Sequence, residues 1–332
     1  MPGRPSREWG VLAVVVCLAV MAGCGGGADR RADDGEPTST VPTSIATTTS
    51  TSAAPAPSTT AAPSSPTVPD PAPTTAPNPP EVAADPVELA AQLVQAERRV
   101  RDPAAAEAEV VEAAQVQQVA YRVLADHPEW DGTVGAEIPL DLVPAVMANV
   151  AARRELRSMH RRLLDTLPAW RIVEPRPMQE LLEHYAEAER IYGVPWQYLA
   201  AINLVETGMG RVDGVSTAGA QGPMQFMPAT WAAFGEGDVR DPRAAILAAG
   251  RYLAHSGAPG DMGKALLAYN RSGKYVRAVT HFAEVMKADP SAYRGYYHWQ
   301  VYVLTVAGDV LLPVGYEQHS PIPVQEYLAA QD

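Results

Sequence analysis

Apolar residues recur at helical spacing through much of the chain after residue 85. They fall at the i, i+3, i+4 and i+7 positions that predict amphipathic helices. A first group comprises Leu89, Leu93, Val94, Ala96 and Val100, and a second comprises Val116, Val119, Ala120 and Val123. Asp102-Pro103 separates the two groups, and we expect the second helix to begin with this proline in its first turn. This region is therefore predicted to be helical.

The chain between residues 127 and 164 continues the helical pattern after a break. His127 to Gly132 is predicted to be a turn. Leu142 to Leu164 is predicted to be one helix with a basic flank, which is typical of a solvated helix face. The flank consists of Arg153, Arg154, Arg157, Arg161 and Arg162. No strand alternation or internal repeat stands out, although the segment 296–306 is compatible with either a last helix or a strand.

Two further helices lead to a candidate catalytic residue. The pattern predicts one helix over Met178 to Ile191 and a second from Trp196 to Glu206, which Thr207-Gly208 ends. Glu206 shares a face with core positions and lies in the last turn, where the helix dipole disfavours a negative charge. Both placements predict a raised pKa, as general-acid cleavage of a glycosidic bond requires. Position alone also allows a glutamate that simply points to water.

The N-terminus has the pattern of an export signal. Arg4 and Arg7 precede an apolar run over 11–22, which is too short to span a bilayer and is followed by Gly23 and Cys24. The segment 21–24 resembles a bacterial lipobox, which implies lipidation of Cys24 and membrane attachment. An ordinary cleaved signal with an incidental cysteine is the alternative. Cys17, the only other cysteine, lies in the segment that would be removed.

Composition changes sharply after the signal. Residues 33–80 are mostly Thr, Pro, Ala and Ser, so they bury too little apolar surface to fold and are predicted to be disordered. They would act as an inert linker or as a tether that lets the folded part of the chain extend away from the membrane. The formal net charge of −12 argues against a nucleic-acid partner, which would favour a basic face.

Other catalytic chemistries find little support in the residues. The seven histidines never adopt a metal-binding spacing, so no metal site is predicted. The segment 214–219 lacks the Gly-x-Ser-x-Gly elbow of serine hydrolases. Gly263-Lys264 is not a phosphate-binding loop, because Ala265 stands where Ser or Thr is needed. No cofactor is expected.

Three motifs between residues 178 and 286 carry a family resemblance. They are Glu206-Thr-Gly, the loop Ser216-Thr-Ala-Gly-Ala-Gln-Gly-Pro-Met-Gln-Phe-Met-Pro-Ala-Thr-Trp231, and Ala268-Tyr-Asn270. In order and spacing they resemble the soluble lytic transglycosylase (SLT) family, relatives of goose-type lysozyme. The resemblance implies an all-α, lysozyme-like fold. It also implies cleavage of the β-1,4 bond between N-acetylmuramic acid and N-acetylglucosamine in peptidoglycan.

The resemblance also implies roles for individual residues. Glu206 is the expected catalytic acid, and a further set is expected to bind the glycan: Ser216, Met224, Gln225, Tyr269 and Asn270. From its position, the Tyr269 hydroxyl is expected to hold either the Glu206 carboxyl or a sugar. Two residues depart from the family pattern. Thr207 replaces the usual Ser, which should be tolerated, and Pro223 replaces Leu, which should stiffen the loop.

The mechanism depends on whether a second carboxylate reaches the site. A lysozyme-type hydrolase needs one, and the nearest in sequence lie in turn-like or Gly-rich segments outside the motifs. These are Asp213, Glu236, Asp238 and Asp241. Without one, the muramoyl C6 hydroxyl attacks internally and leaves a 1,6-anhydro end. A water-using muramidase and a catalytically weak wall-binding or scaffold protein are the alternatives.

The expected organisation follows from these observations. The predicted parts are a lipoprotein-type signal over 1–24, a disordered linker over 25–84, a helical region over 85–170, an SLT-like catalytic domain over 171–312 and a tail over 313–332. We expect an exported protein on the outer face of the cell membrane, with peptidoglycan strands as its partner. The role of the helical region is not evident from the sequence.

Overall fold

The structure, a computed structural model, describes residues 78–331. The predicted signal over 1–24, with Cys17 and Cys24, lies outside the described residues, as does most of the predicted linker over 25–84. No helix within 78–331 is both long and apolar enough to cross a membrane.

Helices dominate the described part of the chain, so the predicted all-α class is confirmed. The α-helices are α1 (Pro86–Arg101), α2 (Glu107–Asp126), α3 (Asp131–Glu137), α4 (Val143–Arg157), α5 (Met178–Tyr192), α6 (Trp196–Thr207), α7 (Pro228–Phe234), α8 (Pro242–His255), α9 (Met262–Tyr269), α10 (Gly273–Ala288), α11 (Tyr293–His298) and α12 (Val324–Ala329). Two short 3-10 helices cover Pro128–Trp130 and Pro290–Ala292.

Side-chain caps explain where several helices begin. Asp85 accepts hydrogen bonds from the backbone N–H groups of residues 87 and 88, and Pro86 then opens α1. Asp241 caps α8 in the same way before another proline. Asp261 and Ser272 cap α9 and α10. These caps satisfy amide groups that have no partner within the helix.

Three small antiparallel sheets were not anticipated. The strands are β1 (Thr166–Leu167), β2 (Arg171–Ile172), β3 (Val212–Asp213), β4 (Val301–Thr305), β5 (Gly308–Leu312) and β6 (Ile322–Pro323). β1 pairs with β6, β2 with β3, and β4 with β5, with Val301 opposite Leu312. All five residues of β4 are buried. A strand buried on both faces shows no apolar–polar alternation, which is why the pattern was not visible. The ambiguous segment 296–306 contains both the end of α11 and this strand.

Three helix boundaries differ from the predictions. α2 begins at Glu107, because residues 102–106 form a turn and Pro103 is not part of the helix. The expected turn over 127–132 contains a 3-10 helix that runs directly into α3. α4 ends at Arg157, whereas the sequence predicted a helix to Leu164. The predictions for α5 and α6 agree with the structure to within one residue.

The main hydrophobic core joins the first helices to the later ones. It contains buried residues of α1, α2 and α4 together with buried residues of α5, α6, α8, α10 and α11. α10 packs against both α4 and α6. α10 therefore lies between the early helical region and α6, the helix that carries the candidate acid.

A second, smaller core lies under the β4–β5 hairpin. It includes Leu167 and Ile172 from the first short strands and Val303 from β4. Val324, at the start of α12, is also fully buried there. The segment 313–332, predicted only as a tail, therefore contributes to a packed cluster.

The arginine flank of α4 is not simply a solvated face. Arg154 pairs with Asp131 at 2.7 Å, and Arg157 pairs with Asp126 at 2.6 Å. The Nε atom of Arg153 is buried. Arg161 and Arg162, which follow the end of α4, are exposed to solvent as predicted. The prediction of a solvated flank is thus wrong for the part that lies within α4, because acids of the preceding helices face it.

Candidate active site

Glu206 lies in the last turn of a helix that is buried on every side. All residues from Tyr198 to Thr207 are buried, and Glu206 itself is 4% exposed. Gly208 ends α6 with a left-handed backbone, φ +60°, where a glycine carries no steric penalty. The N–H of Met209 then donates to the carbonyl of Asn203 at 3.2 Å. These features fix the end of α6, where the carboxyl of Glu206 lies.

The surroundings of Glu206 favour its protonated form. Burial raises the pKa of Glu206 to about 8 because the ionised carboxylate would lose its hydration. The hydrogen bond from Tyr275 acts in the opposite direction and lowers this pKa. No other charged group among residues 78–331 contributes a shift to Glu206. The acid is therefore mainly protonated at pH 7.

Tyr275 holds the carboxyl of Glu206. Its hydroxyl donates to Oε1 of Glu206 at 2.8 Å, across 69 positions of sequence. Tyr275 lies in the first turn of α10 and is fully buried. Ser272 caps that turn and so fixes the direction in which Tyr275 leaves the helix. The side chain is a positioning group that also stabilises the ionised acid.

The loop that follows α6 is tied to the acid's helix by Thr207. The Thr207 hydroxyl donates to the carbonyl of Pro223 at 2.6 Å and accepts from the N–H of Gly210 at 3.0 Å. Thr207 is fully buried, so these bonds are shielded from water. The residue next to the acid thus joins the first motif to the second.

A small backbone hairpin shapes the second motif. Gln221 and Phe226 exchange backbone hydrogen bonds of 2.9 and 2.8 Å, which closes the turn between them. Gly222 has φ +72°, and a Cβ there would lie 2.0 Å from the carbonyl oxygen of Val239. This position therefore requires glycine for both its backbone angle and its close contact.

Two of the expected glycan-binding residues help to hold this loop. The Ser216 hydroxyl accepts from the N–H groups of residues 218 and 220, at 3.2 and 2.8 Å. Gln225 adopts a left-handed backbone, φ +49°, which is uncommon for a residue with a side chain. Its Nε2 donates to the carbonyl of Gly222 at 2.9 Å. Its oxygen has no hydrogen bond to the protein among the described residues.

The other three expected residues are Met224, Tyr269 and Asn270, and a hydrogen bond joins the first two. Tyr269 donates its hydroxyl to the carbonyl of Met224 at 2.7 Å, so it holds the loop and does not donate to the Glu206 carboxyl. The Met224 side chain is fully buried in the main core. Asn270 is 2% exposed, and neither polar atom of its amide has a partner within the described part of the protein. Glu206 adds to the raised pKa of Tyr269, although burial is the larger cause.

None of the four carboxylates considered from the sequence has a recorded contact with Glu206. Asp213 pairs with Arg171 at 2.5 Å, and Glu236 pairs with Arg251 at 2.7 Å. The remaining two, Asp238 and Asp241, accept backbone N–H groups at a turn and at the start of α8. Each carboxylate has its own local partner.

The sequence interpretation missed Tyr275 and gave Thr207 too small a role. A signal for the burial of Tyr275 was present, because residues 275, 278, 279 and 282 form one apolar face of α10. Periodicity identifies that face but not the direction of one hydroxyl. Thr207 was noted only as a conservative replacement, since its partner lies 16 residues further along the chain.

Comparison with known proteins identifies the class of domain. Residues 183–284 match the transglycosylase SLT domain family. This segment contains Glu206, Tyr275 and the loop between them. The similarity to SLT domains is therefore limited to this part of the chain.

One relative is the membrane-bound lytic murein transglycosylase F of Thiobacillus denitrificans. It is 29% identical over 127 residues, which is 36% of this chain. The matched region spans only 27% of the relative's length. The comparison with solved structures found no significant match.

Proposed function

We propose that this protein is a lytic transglycosylase that cleaves the β-1,4 bond between N-acetylmuramic acid and N-acetylglucosamine in peptidoglycan. The observation that carries the proposal is Glu206, buried beside Tyr275 with a pKa raised to about 8. An acid that keeps its proton at neutral pH can donate it to the glycosidic oxygen as the bond breaks. The match of residues 183–284 to the SLT domain family and the name of the relative support the same chemistry.

Asn270 and Gln225 are the best candidates for direct glycan contacts. The buried amide of Asn270 lacks partners within the described protein, and hydroxyl or acetamido groups of a sugar match its donors and acceptor. Gln225 keeps a free oxygen while its nitrogen holds the loop. Ser216, Met224 and Tyr269 would act by shaping the loop, since their hydroxyls or side chains are engaged with the protein.

The bond cleavage is proposed to proceed without water as the nucleophile. Glu206 transfers its proton to the leaving oxygen, and the muramoyl C1–O bond breaks. The C6 hydroxyl of the same sugar then attacks C1 and returns its proton to Glu206, which leaves a 1,6-anhydro end. The support is that no carboxylate among the described residues perturbs Glu206, as a nearby catalytic partner would. Internal attack benefits from the high effective concentration of a group held on the same ring.

The test is digestion of purified peptidoglycan followed by mass analysis of the products. We expect anhydro-ended fragments from the wild-type chain, and a loss of roughly 1,000-fold or more in rate for Glu206→Gln. Glu183→Gln is the matched control, because Glu183 is an exposed glutamate on α5. Ordinary reducing ends would indicate a muramidase, and an unchanged rate in Glu206→Gln would refute the site. Binding without any product would indicate a scaffold.

The proposed location is the outer face of the cell membrane, attached through a lipid on Cys24. The support is the basic, apolar and small-residue order of the first 24 residues, together with the membrane-bound name of the relative. We expect Cys24→Ser to lose both metabolic labelling by a fatty acid and recovery in the membrane fraction. Cys17→Ser, seven positions earlier, should retain both. Equal labelling of the two variants would contradict the anchor.

A further inference from the structure

A cavity separate from the candidate active site lies between α4, the end of α6 and the β4–β5 hairpin. It encloses about 60 Å³, which is room for several waters or one small oxyanion. Its polar lining consists mainly of Arg122, Arg153, Arg157, His160, Tyr302 and Asp309. Leu204, Val205 and Gly208 of the α6 end complete one wall, but Glu206 does not line it.

The charges around this cavity do not balance. Arg122 pairs with Asp309 at 2.6 Å, and Arg157 pairs with Asp126 at 2.6 Å. Arg153 forms no ion pair with any acid of residues 78–331. Burial lowers the pKa of the Arg153 guanidinium to about 9, with a smaller contribution from Arg122, so it stays charged at neutral pH. One positive charge is therefore left over in a partly enclosed space, and an uncompensated buried charge is costly.

Several polar atoms at the cavity lack hydrogen-bond partners among residues 78–331. The Nε atom of Arg153 is buried without a hydrogen bond, and so is the hydroxyl of Tyr302, a residue only 3% exposed. Oδ1 of Asp309 is a third such atom, and it is an acceptor. Burial and the neighbouring arginines lower the pKa of His160 to about 4, so at neutral pH its ring adds an N–H donor without charge. The site thus offers several donors, one spare acceptor and excess positive charge.

We propose that this cavity is a binding site for a small oxyanion, either a phosphate group or a carboxylate. A water molecule could bridge the unpartnered atoms, but it would leave the positive charge of Arg153 uncompensated. An oxyanion satisfies the donors and neutralises that charge. The free oxygen of Asp309 favours an anion that also carries a proton, such as hydrogen phosphate, over a simple carboxylate. This inference does not depend on the proposed catalytic activity.

The test measures thermal unfolding of the purified full chain in sodium phosphate, sodium acetate and sodium chloride at equal ionic strength. A ligand that binds only the native state raises the melting temperature in proportion to the logarithm of its concentration. We expect phosphate to raise the melting temperature above the chloride value. Acetate producing the larger rise would assign the site to carboxylates. The proposal is overturned if neither anion exceeds chloride.

Arg153→Met removes the unpaired charge while keeping much of the side chain's volume. We expect this variant to lose the phosphate-dependent rise, and to melt in chloride at or above the wild-type temperature because the buried charge is gone. If Arg153 only stabilised the fold, the variant would melt below the wild-type temperature in chloride. Arg161→Met, which makes the same change at an exposed position beyond α4, should keep the full phosphate response.

Tyr302→Phe provides a second test that retains the ring beneath Arg122. It removes only the unpartnered hydroxyl, so the fold should be kept. Isothermal titration with inorganic phosphate should show about tenfold weaker binding than wild type, as expected for one lost hydrogen bond to a charged group. A phosphate affinity unchanged in Tyr302→Phe, or a full phosphate response in Arg153→Met, would place the binding elsewhere and refute the site.

Discussion

The hydrogen bond between Tyr275 and Glu206 provides a direct test of how the acid is tuned. Tyr275→Phe removes one oxygen atom and leaves the buried ring in place. The lost bond is the 2.8 Å contact to Oε1 of Glu206, which lowers the pKa that burial raises. Without it, the ionised carboxylate loses a donor in a buried site. The pKa of Glu206 should therefore rise further above 8.

The size of this rise follows from the two protonation states. A hydrogen bond to a charged group contributes about 1.5–3 kcal/mol, and one between neutral groups contributes about 1 kcal/mol. The difference of about 1.4 kcal/mol corresponds to a shift of about one pKa unit. The pKa of Glu206 should thus be clearly higher in the variant than in the wild type. The maximal rate should also fall, because the carboxyl of Glu206 is held less firmly without this hydrogen bond.

The assay is the rate of peptidoglycan solubilisation from pH 5 to pH 10. Glu206 must be protonated to begin the reaction, so activity declines on the alkaline side as the acid ionises. Tyr275→Phe should move this decline upward by about one pH unit. Tyr296→Phe removes a different buried hydroxyl, which donates to Asn149, and should leave the decline in place. An unchanged or lowered alkaline limb in Tyr275→Phe would refute the reasoning, whatever happens to the maximal rate.

Three more predictions concern stability. Because the pKa of Glu206 is raised from 4.5 to about 8, the unfolded chain releases this proton first and native stability falls as pH rises between these values. In urea unfolding, Glu206→Gln should gain about 4 kcal/mol on wild type between pH 4.5 and pH 8, and a constant difference would contradict the raised pKa. Thr207→Val should lower the unfolding free energy by about 1–3 kcal/mol, whereas Thr207→Ser should stay near the wild-type value. An equal loss in both variants would show that the hydroxyl does not stabilise the fold. Gly222→Ala should lower the melting temperature more than Gly219→Ala. Both glycines have a positive φ, but only at Gly222 would the added Cβ clash with a backbone carbonyl. Equal losses in the two variants would contradict this close contact.

The sequence predicted the local features of this fold better than the distant contacts. α5 and α6 were predictable to within one residue because apolar periodicity, an opening proline and a terminating glycine all agreed. β4 was not, since burial on both faces removes the alternation that marks a strand. α4 was predicted too long because the basic residues after Arg157 continue the helix-forming composition beyond the real end.

The same division applies to the candidate site. Glu206 could be proposed as the acid because its motif is local in sequence, and its burial follows from the apolar helix that carries it. The direction of the Tyr269 hydroxyl could not, since its actual acceptor is a carbonyl 45 positions away. The contact of Tyr275 with Glu206 spans 69 positions and depends on how α10 crosses α6. Only the packed structure determines such contacts.

The helical region before residue 170, whose role the sequence left open, supports the acid through α10. α4 packs along α10, and Glu155 of α4 binds Arg277 of α10 with two hydrogen bonds of 2.6 and 2.8 Å. Lys274, the neighbour of Tyr275, also donates to the carbonyl of Ser158 at 2.6 Å. The first turn of α10 is therefore held from one side by the early helices and contacts Glu206 on the other. Loss of this support would move the tyrosine that donates to the acid, so the early helices help to hold the candidate active site in place.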